Sequence, residues 1–298
     1  MGLVADADTV HVGLIGAGIG PSLSPALHER EARALGLTYR YTLVDLDARG
    51  VDPDDVGDLL VEARDAGLRG VNVTHPVKQR VLPHLDELSG DAAAIGAVNT
   101  VVFDDGRAHG HNTDWSGFAA ALRTGLPGAV TQRVVVLGAG GAGAAAAHAL
   151  LTGGAGTVEI LDVDAAQADE LAGRLTTTFG PGRARARPVD AIEAVLADAD
   201  GLVHATPTGM AEHPGLPVPA EVLQPRLWVA EIVYRPLRTA LLEAAAARGC
   251  PTLDGGLMAV HQAADALALF TGLRPDIERM RRHLQELVEA PGEDHRAG

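Results

Sequence analysis

Val134-Val135-Val136-Leu137-Gly138-Ala139-Gly140-Gly141-Ala142-Gly143 is an apolar, β-branched run that ends in the spacing G-x-G-x-x-G and continues alanine-rich to Leu151. It reads as a strand, a tight turn and a helix over Ala142–Leu151. Gly138, Gly140 and Gly143 permit the turn and let backbone N–H groups, those of Ala139, Gly141 and Ala142 included, approach a pyrophosphate at the helix N-terminus. The spacing alone is a weak signal, because glycine-rich turns also serve packing. Its context strengthens it: the next strand, Val158–Leu161, closes on Asp162, nineteen residues after Gly143, where a carboxylate can accept two ribose hydroxyls. A helix-capping aspartate is the plainer account of Asp162 taken alone. The 2′-phosphate of NADP would face that carboxylate at a cost of about 4 kcal/mol at ~4 Å and an effective dielectric of ~20. Val163–Leu171 offers no arginine to such a phosphate and adds Asp164, Asp169 and Glu170. NAD is therefore the cofactor expected, and NADP the less favoured one.

Outward from this unit, short β-branched runs alternate with helical stretches, which predicts an α/β fold with mostly parallel strands. Toward the C-terminus come a helix over Ala165–Thr176, strands Gly201–His204 and Trp228–Val233, and a helix Leu237–Arg248. A last helical region covers Ala259–Phe270 and Ile277–Leu287, ahead of a polar tail, Pro291–Gly298, that reads as disordered. Toward the N-terminus the reading gives strands Val12–Ile15, Tyr39–Leu43 and Gly70–Val73, and helices Pro25–Leu35, Val56–Ala66 and Val77–Leu88. Val98–Phe103 pairs with a strand near His109–His111 across Asp105-Gly106, and a helix runs from Gly117 to about Arg123. Two α/β domains with a crossover near Asp114 result, and the cleft between them is the expected ligand site. A second glycine cluster, Gly16-Ala17-Gly18-Ile19-Gly20, also follows a strand, but Pro21 and Ser24-Pro25 delay its helix. No acidic residue follows it at the required place, so it reads as a substrate-side loop.

Composition sets the outer limits. The chain has 298 residues, 47% of them apolar, with 39 acidic against 24 basic side chains and a net charge of −15. That balance argues against nucleic acid or an anionic membrane as the main partner, since neutralising phosphate needs a basic face. No apolar run approaches the ~20 residues of a membrane helix, and MGLVADADTV lacks the basic and apolar regions of a signal peptide. A single cysteine, Cys250, excludes an internal disulfide and a cysteine-built metal site and fits a reducing cytoplasm. His109-x-His111 has no evident third ligand, so no metal is expected. Of the 24 basic residues, all but Lys78 are arginine.

Lys78 closes Gly70-Val71-Asn72-Val73-Thr74-His75-Pro76-Val77-Lys78, read as a strand turning into a helix with Pro76 at N1. The first turn of a helix disfavours a cation by ~0.3–1 kcal/mol. A solvated side chain is the bland account; the misplacement and the lysine count favour a working one. Arginine replaces lysine where only charge is wanted, but not where a proton must be released or a compact ammonium must fit beside a hydroxyl. Asn72, Thr74, Asn99, Thr100 and Asp114 stand at ends of apolar strands, where open α/β sheets place ligand contacts. Capping alone explains a share of such residues, with Thr74, Asp114 and Ser24 as candidate N-caps.

Ser22-Leu23-Ser24-Pro25, Asn72-Val73-Thr74-x-Pro76-x-Lys78, Ala97-Val98-Asn99-Thr100 and Asn112-Thr113-Asp114 have the order and spacing of the shikimate dehydrogenase family. So do Gly138–Gly143, Ala205-Thr206-Pro207-Thr208-Gly209-Met210, Val233-Tyr234-x-Pro236 and Met258-x-x-x-Gln262. The chain resembles that family over all but its tails. The resemblance implies a substrate-binding catalytic domain over 1–113, completed by 255–298, a Rossmann dinucleotide-binding domain over 114–254, and a homodimer. It also implies roles. Ser22 and Ser24 hold a substrate carboxylate with Tyr234 assisting, and Asn72, Thr74, Asn99, Asp114 and Gln262 hold ring hydroxyls. Lys78 and Asp114 form the catalytic pair, while Thr206, Pro207, Ile232, Gly255 and Met258 lie along the cofactor.

Departures from the common family pattern refine this. Asp162-Val163-Asp164 replaces an Asn-Arg-Thr turn and resembles the NAD-dependent quinate/shikimate dehydrogenase branch, although Gln167 stands where that branch often has arginine. His204 replaces an Asn and Glu231 an Asp. Ser24 stands where quinate-preferring members often carry Thr. The resemblance thus implies reversible oxidation of a ring hydroxyl of shikimate or quinate, giving 3-dehydroshikimate or 3-dehydroquinate. The alternatives are an NADP-dependent biosynthetic shikimate dehydrogenase, an aminoshikimate-pathway dehydrogenase, and a ligand-sensing homologue without turnover.

Overall fold

The structure, a computed structural model, describes residues 9–289. The polar tail and most of the MGLVADADTV stretch lie outside the described residues. The N-terminal half runs β1 (Val10–Gly16), α1 (Ser24–Ala34), β2 (Tyr39–Asp45), α2 (Leu46–Arg49), α3 (Val56–Asp65), β3 (Gly70–Val73), β4 (Glu87–Leu88), α4 (Gly90–Ile95), β5 (Thr100–Asp104), β6 (Arg107–His111) and α5 (Thr113–Gly125). It continues through β7 (Arg133–Leu137), α6 (Gly141–Thr152), β8 (Thr157–Leu161), α7 (Ala165–Phe179), β9 (Ala184–Arg187), α8 (Ile192–Leu196), β10 (Gly201–His204), β11 (Trp228–Glu231), α9 (Ala240–Ala247), β12 (Thr252–Leu253), α10 (Gly255–Thr271) and α11 (Ile277–Glu289).

The strands form two six-stranded sheets. The second, in the order β12-β11-β10-β7-β8-β9, is parallel throughout. Read from β9, that is the doubly wound order 3-2-1-4-5-6, whose switch point lies between β7 and β10. The first sheet, β2-β1-β3-β5-β6-β4, is parallel through β2, β1 and β3, and β5 then runs antiparallel to both β3 and β6. The carboxyl ends of β1, β3 and β6 and the amino end of β5 therefore share one edge.

Alanine abundance is explained by close packing. Ala144, Ala145, Ala146 and Ala147 of α6 are fully buried, in contact with the β7–β8 region and with α5. Helix α10 returns from the end of the chain to pack along α5, and α11 lies on α1 and α10.

The structure corrects one element that bears on the site. The helix expected over Val77–Leu88 is a series of turns at 75–81, a 3-10 turn Leu82–His84 and the short strand β4. Pro83 cannot donate to the Gln79 carbonyl, which instead accepts from Leu82 N–H, and the Lys78 carbonyl accepts from Val98 N–H at 2.9 Å. Pro76 is consequently not a helical N1 residue, and Lys78 does not lie in the first turn of a helix of its own segment. The α5 helix begins four residues before Gly117. The segments α4, α8, β9 and β12 carry no periodicity that announces them; each spans six residues or fewer.

Candidate active site

Asn112 caps α5, accepting from Asp114 N–H at 3.0 Å and Trp115 N–H at 3.3 Å, while its own amide donates to the Ala97 carbonyl at 2.9 Å. This cap fixes Asp114 in the first turn of α5, where a carboxylate is favoured by the dipole. The Lys78–Val98 backbone bond sets Lys78 beside the same point. Lys78 Nζ donates to Asp114 Oδ2 at 2.6 Å, with the two side chains 19% and 8% exposed.

Behind this pair stands a closed amide network. Asn99 donates both N–H groups, to Asp114 Oδ1 and Thr113 Oγ1, each at 2.9 Å. Its oxygen accepts from Thr113 N–H at 2.7 Å and the Thr100 hydroxyl at 3.0 Å. Asn72 likewise donates to the Asn99 carbonyl at 3.2 Å and Thr100 Oγ1 at 2.9 Å, and accepts from the Tyr41 hydroxyl at 2.8 Å. The amide donors are thus committed within the protein. The open capacity toward a ring hydroxyl lies on Lys78, which has further N–H groups, and on the remaining lone pairs of Asp114.

The other expected substrate contacts gather around this edge. Thr74 N–H donates to the Ile15 carbonyl at 2.9 Å, and a Cβ at Gly16 would meet the Thr74 methyl at 2.3 Å, so the 74–78 turn lies against the loop leading to Ser22. Ser24 is the first residue of α1, which has no side-chain cap, so its hydroxyl is not spent there. Ser22 Oγ accepts from Ser24 N–H at 3.3 Å. Burial pushes the Tyr234 phenol up, offset by Arg235 and by the Ser22 hydroxyl beside it. Arg235 donates to the Pro21 carbonyl, joining the two walls. Gln262 and Met258, on α10, pack on Gly117 of α5: a Cβ there would lie 2.9 Å from Gln262 Cβ and 3.0 Å from the Met258 carbonyl.

The glycine loop fits a dinucleotide. Gly138 has φ +109°, and a Cβ on it would lie 2.7 Å from the Ala205 carbonyl and 3.1 Å from the Thr206 methyl; one on Gly143 would lie 1.9 Å from the Gly138 carbonyl. A Cβ on Gly140, by contrast, meets nothing within 4 Å, and as N-cap of α6 Gly140 offers its amides no side-chain partner. Open space in front of unpartnered N–H groups is what a pyrophosphate requires. Asp162 is not a cap, for Asp164 caps α7; it accepts from Asp164 N–H at 2.9 Å and from Ala139 N–H at 2.6 Å, which corrects the expectation that the Ala139 N–H faces a pyrophosphate, and two of its lone-pair positions are left. Pro207 follows Thr206 in the loop over Gly138, its carbonyl accepting from Met210 N–H at 3.1 Å. Gly255 opens α10 so close to the Ile232 carbonyl that a Cβ on it would lie 2.5 Å from that oxygen. The Lys78–Asp114 pair touches the cradle, since a Cβ on Gly141 would lie 3.0 Å from Lys78 Cδ.

Three participants escape sequence reasoning. Asn112 enters it only as part of a motif, although Asn before a helix is a capping signal. Thr113, at the start of α5, enters likewise only through that motif, and Tyr41 of β2 acts through a contact across the sheet that no local pattern reports. Among the described residues no group of three or more His, Cys, Asp and Glu side chains is arranged to hold a metal, and His109 faces Glu87 at 3.2 Å. Nor is any described helix long and apolar enough to cross a membrane.

Residues 14–101 match the family model of the shikimate dehydrogenase substrate binding domain, and residues 258–285 that of the shikimate 5'-dehydrogenase C-terminal domain. A shikimate dehydrogenase (NADP(+)) of Streptomyces avermitilis is 62% identical over 94% of this chain and 97% of its own. A quinate/shikimate dehydrogenase (NAD(+)) of Corynebacterium efficiens is 47% identical over 92% of this chain and 97% of its own. Among solved structures, quinate dehydrogenase from Corynebacterium glutamicum in complex with NAD superposes with a TM-score of 0.87 at 45% identity, covering 94% of this chain and 99% of that one. With its two sheets, its glycine cradle and its Lys78–Asp114 pair, the chain belongs to the shikimate dehydrogenase family of oxidoreductases.

Proposed function

We propose that the chain is an NAD-dependent dehydrogenase that reversibly oxidises a ring hydroxyl of shikimate or quinate to the corresponding ketone. The observation that carries this reading is the part-buried Lys78–Asp114 pair standing against Gly141, the first residue of the cofactor helix. Residues 1–113 with 255–298 bind the ring, and 114–254 bind the dinucleotide. A dinucleotide with its pyrophosphate in the cradle of Gly138–Gly143 would supply, in its nicotinamide, the acceptor for the hydride leaving the ring carbon. The protein must take the hydroxyl proton at the same time. Lys78 receives that proton in its neutral form or, when charged, stabilises the developing alkoxide; Asp114 fixes the hydroxyl. Asn99 holds Asp114, and Asn112 holds the turn that carries it. Ser22, Ser24 and Tyr234 offer hydroxyls to the ring carboxylate at the other end.

Asp162 supports NAD, because its free lone pairs lie where two ribose hydroxyls fit and a 2′-phosphate is repelled. A second reading, NADP dependence with a biosynthetic role, is favoured by the NADP(+) in the names of relatives at 62%, 56% and 53% identity. Absorbance at 340 nm, followed with NAD and NADP against shikimate, quinate and the amino analogue, separates these readings. The expected result is a higher kcat/KM with NAD on shikimate or quinate. Preference for NADP would remove the cofactor assignment, and absence of turnover with every pair would leave a ligand-sensing homologue.

A further inference from the structure

Strands β10 and β11 lie side by side and end on His204 and Glu231, which face each other in register. Both are buried, at 0% and 2% exposure. His204 Nδ1 lies 2.9 and 3.1 Å from the two Glu231 oxygens, and His204 Nε2 lies 2.5 Å from Thr206 Oγ1. Glu231 also accepts from Val233 N–H at 3.1 Å and the Thr239 hydroxyl at 3.0 Å. Every acceptor position of the carboxylate thus faces a donor. An ionised carboxylate only accepts, so an imidazole hydrogen sits on Nδ1, and a ring that carries one hydrogen, spent there, presents Nε2 as an acceptor. The Thr206 hydroxyl must then spend its hydrogen on Nε2. What Thr206 turns toward its other neighbours is oxygen lone pairs, one of them toward Thr208 N–H at 3.4 Å. Thr206 stands over the cradle, its methyl 3.1 Å from a Cβ on Gly138.

We propose that His204 and Glu231 are positioning residues that fix Thr206 as a hydrogen-bond acceptor for the nicotinamide riboside half of the cofactor, for a carboxamide N–H or a ribose O–H. The same two residues tie the 205–209 loop to the 231–239 loop, which leads to Tyr234. The inference rests on dinucleotide binding but not on which dinucleotide binds, so it is tested against whichever of the two the wild type holds more tightly.

Calorimetric titration of the full chain with NAD, NADP and ADP makes the test, ADP retaining the adenosine and pyrophosphate but not the nicotinamide riboside. Thr206→Val keeps the shape and removes the acceptor; it should weaken the preferred dinucleotide about tenfold, the scale of one buried hydrogen bond, and leave ADP within about twofold. Thr206→Ser should bind as the wild type does. His204→Asn, too short to reach Thr206, should weaken the dinucleotide similarly, and the double variant should be no weaker than Thr206→Val. Unchanged dinucleotide binding in Thr206→Val, a parallel loss of ADP binding, or additive losses in the double variant would each overturn the assignment. Imidazole 15N spectra of the wild-type chain give a readout independent of any variant's folding: His204 should carry its one hydrogen on Nδ1, and a hydrogen on Nε2, with or without one on Nδ1, defeats the proposal.

Discussion

Lys78 commits one N–H group to Asp114 and is 19% exposed, so its remaining donors are open to the ring hydroxyl of the proposed substrate. Lys78→Ala should lower kcat by about 10²–10⁴, the usual worth of a positioned acid or base, with an unchanged far-UV spectrum; near-wild-type turnover would dismiss the role. Lys78→Arg should do little better, because a planar fork replaces a compact ammonium, and the chain already uses arginine at every other basic position. At the cradle, Asp162→Asn combined with Val163→Arg removes a repulsive carboxylate and adds a phosphate-binding cation beside it. The ratio of kcat/KM for NADP to that for NAD should rise at least tenfold, roughly 1.4 kcal/mol of the Coulomb cost. An unmoved ratio would place cofactor choice elsewhere. Lys78 was legible because it is the only lysine, and Asp162 because strand, glycines and spacing agree. The commitment of Asn99 and Asn72 was not legible, since it depends on Tyr41 of β2, Thr100 of β5 and Thr113 of α5 meeting at one edge of the sheet.

At the scale of the element, α5 is the piece that converts sequence into site geometry. Its cap, Asn112, also reaches the Ala97 carbonyl, so one side chain ties the helix start to the segment before β5 that carries Asn99. Asn112→Ala should cost about 1 kcal/mol of stability, the ordinary worth of a cap, by chemical denaturation. It should lower kcat more than that stability loss alone explains, because Asp114 loses its frame; a variant with reduced stability and full kcat would confine Asn112 to capping. Elements with their own strong signals were readable: β7, α6 and β8 follow the expected bounds within two residues. The failure at 77–88 has a physical origin. Apolar spacing there resembles a helix, but Pro83 removes a donor and Val98 takes the Lys78 carbonyl. That diversion, which no local pattern contains, is what brings Lys78 to Asp114.

At the scale of the molecule, the last described helix returns to the N-terminal half: α11 is held to α1 where Glu31, 0% exposed, accepts from Arg279 at 2.7 and 2.8 Å and from Asp276 N–H at 2.8 Å. Periodicity predicted the terminal helices but not where they dock, which is a tertiary fact. Glu31→Ala breaks a buried pair and should destabilise by about 3 kcal/mol; a loss below about 0.5 kcal/mol would mean that α11 is held by its apolar face alone. The same corner sets a pH dependence. His28, on α1, is buried with its ring 5.0 Å from that of Tyr41, and desolvation lowers its pKa from 6.5 to about 3. The folded state therefore keeps His28 neutral at pH values where the unfolded chain has already taken up a proton. Stability from this residue is complete above about pH 6.5 and falls as the pH drops toward 3, by up to about 1.4 kcal/mol per unit. Between pH 7 and pH 5 the wild type should lose about 2 kcal/mol more than His28→Gln, read as the difference in unfolding free energy from denaturant titrations at the two pH values. Equal losses in the two proteins would show that His28 is protonated in the folded state, and that burial at this corner does not exclude its charge.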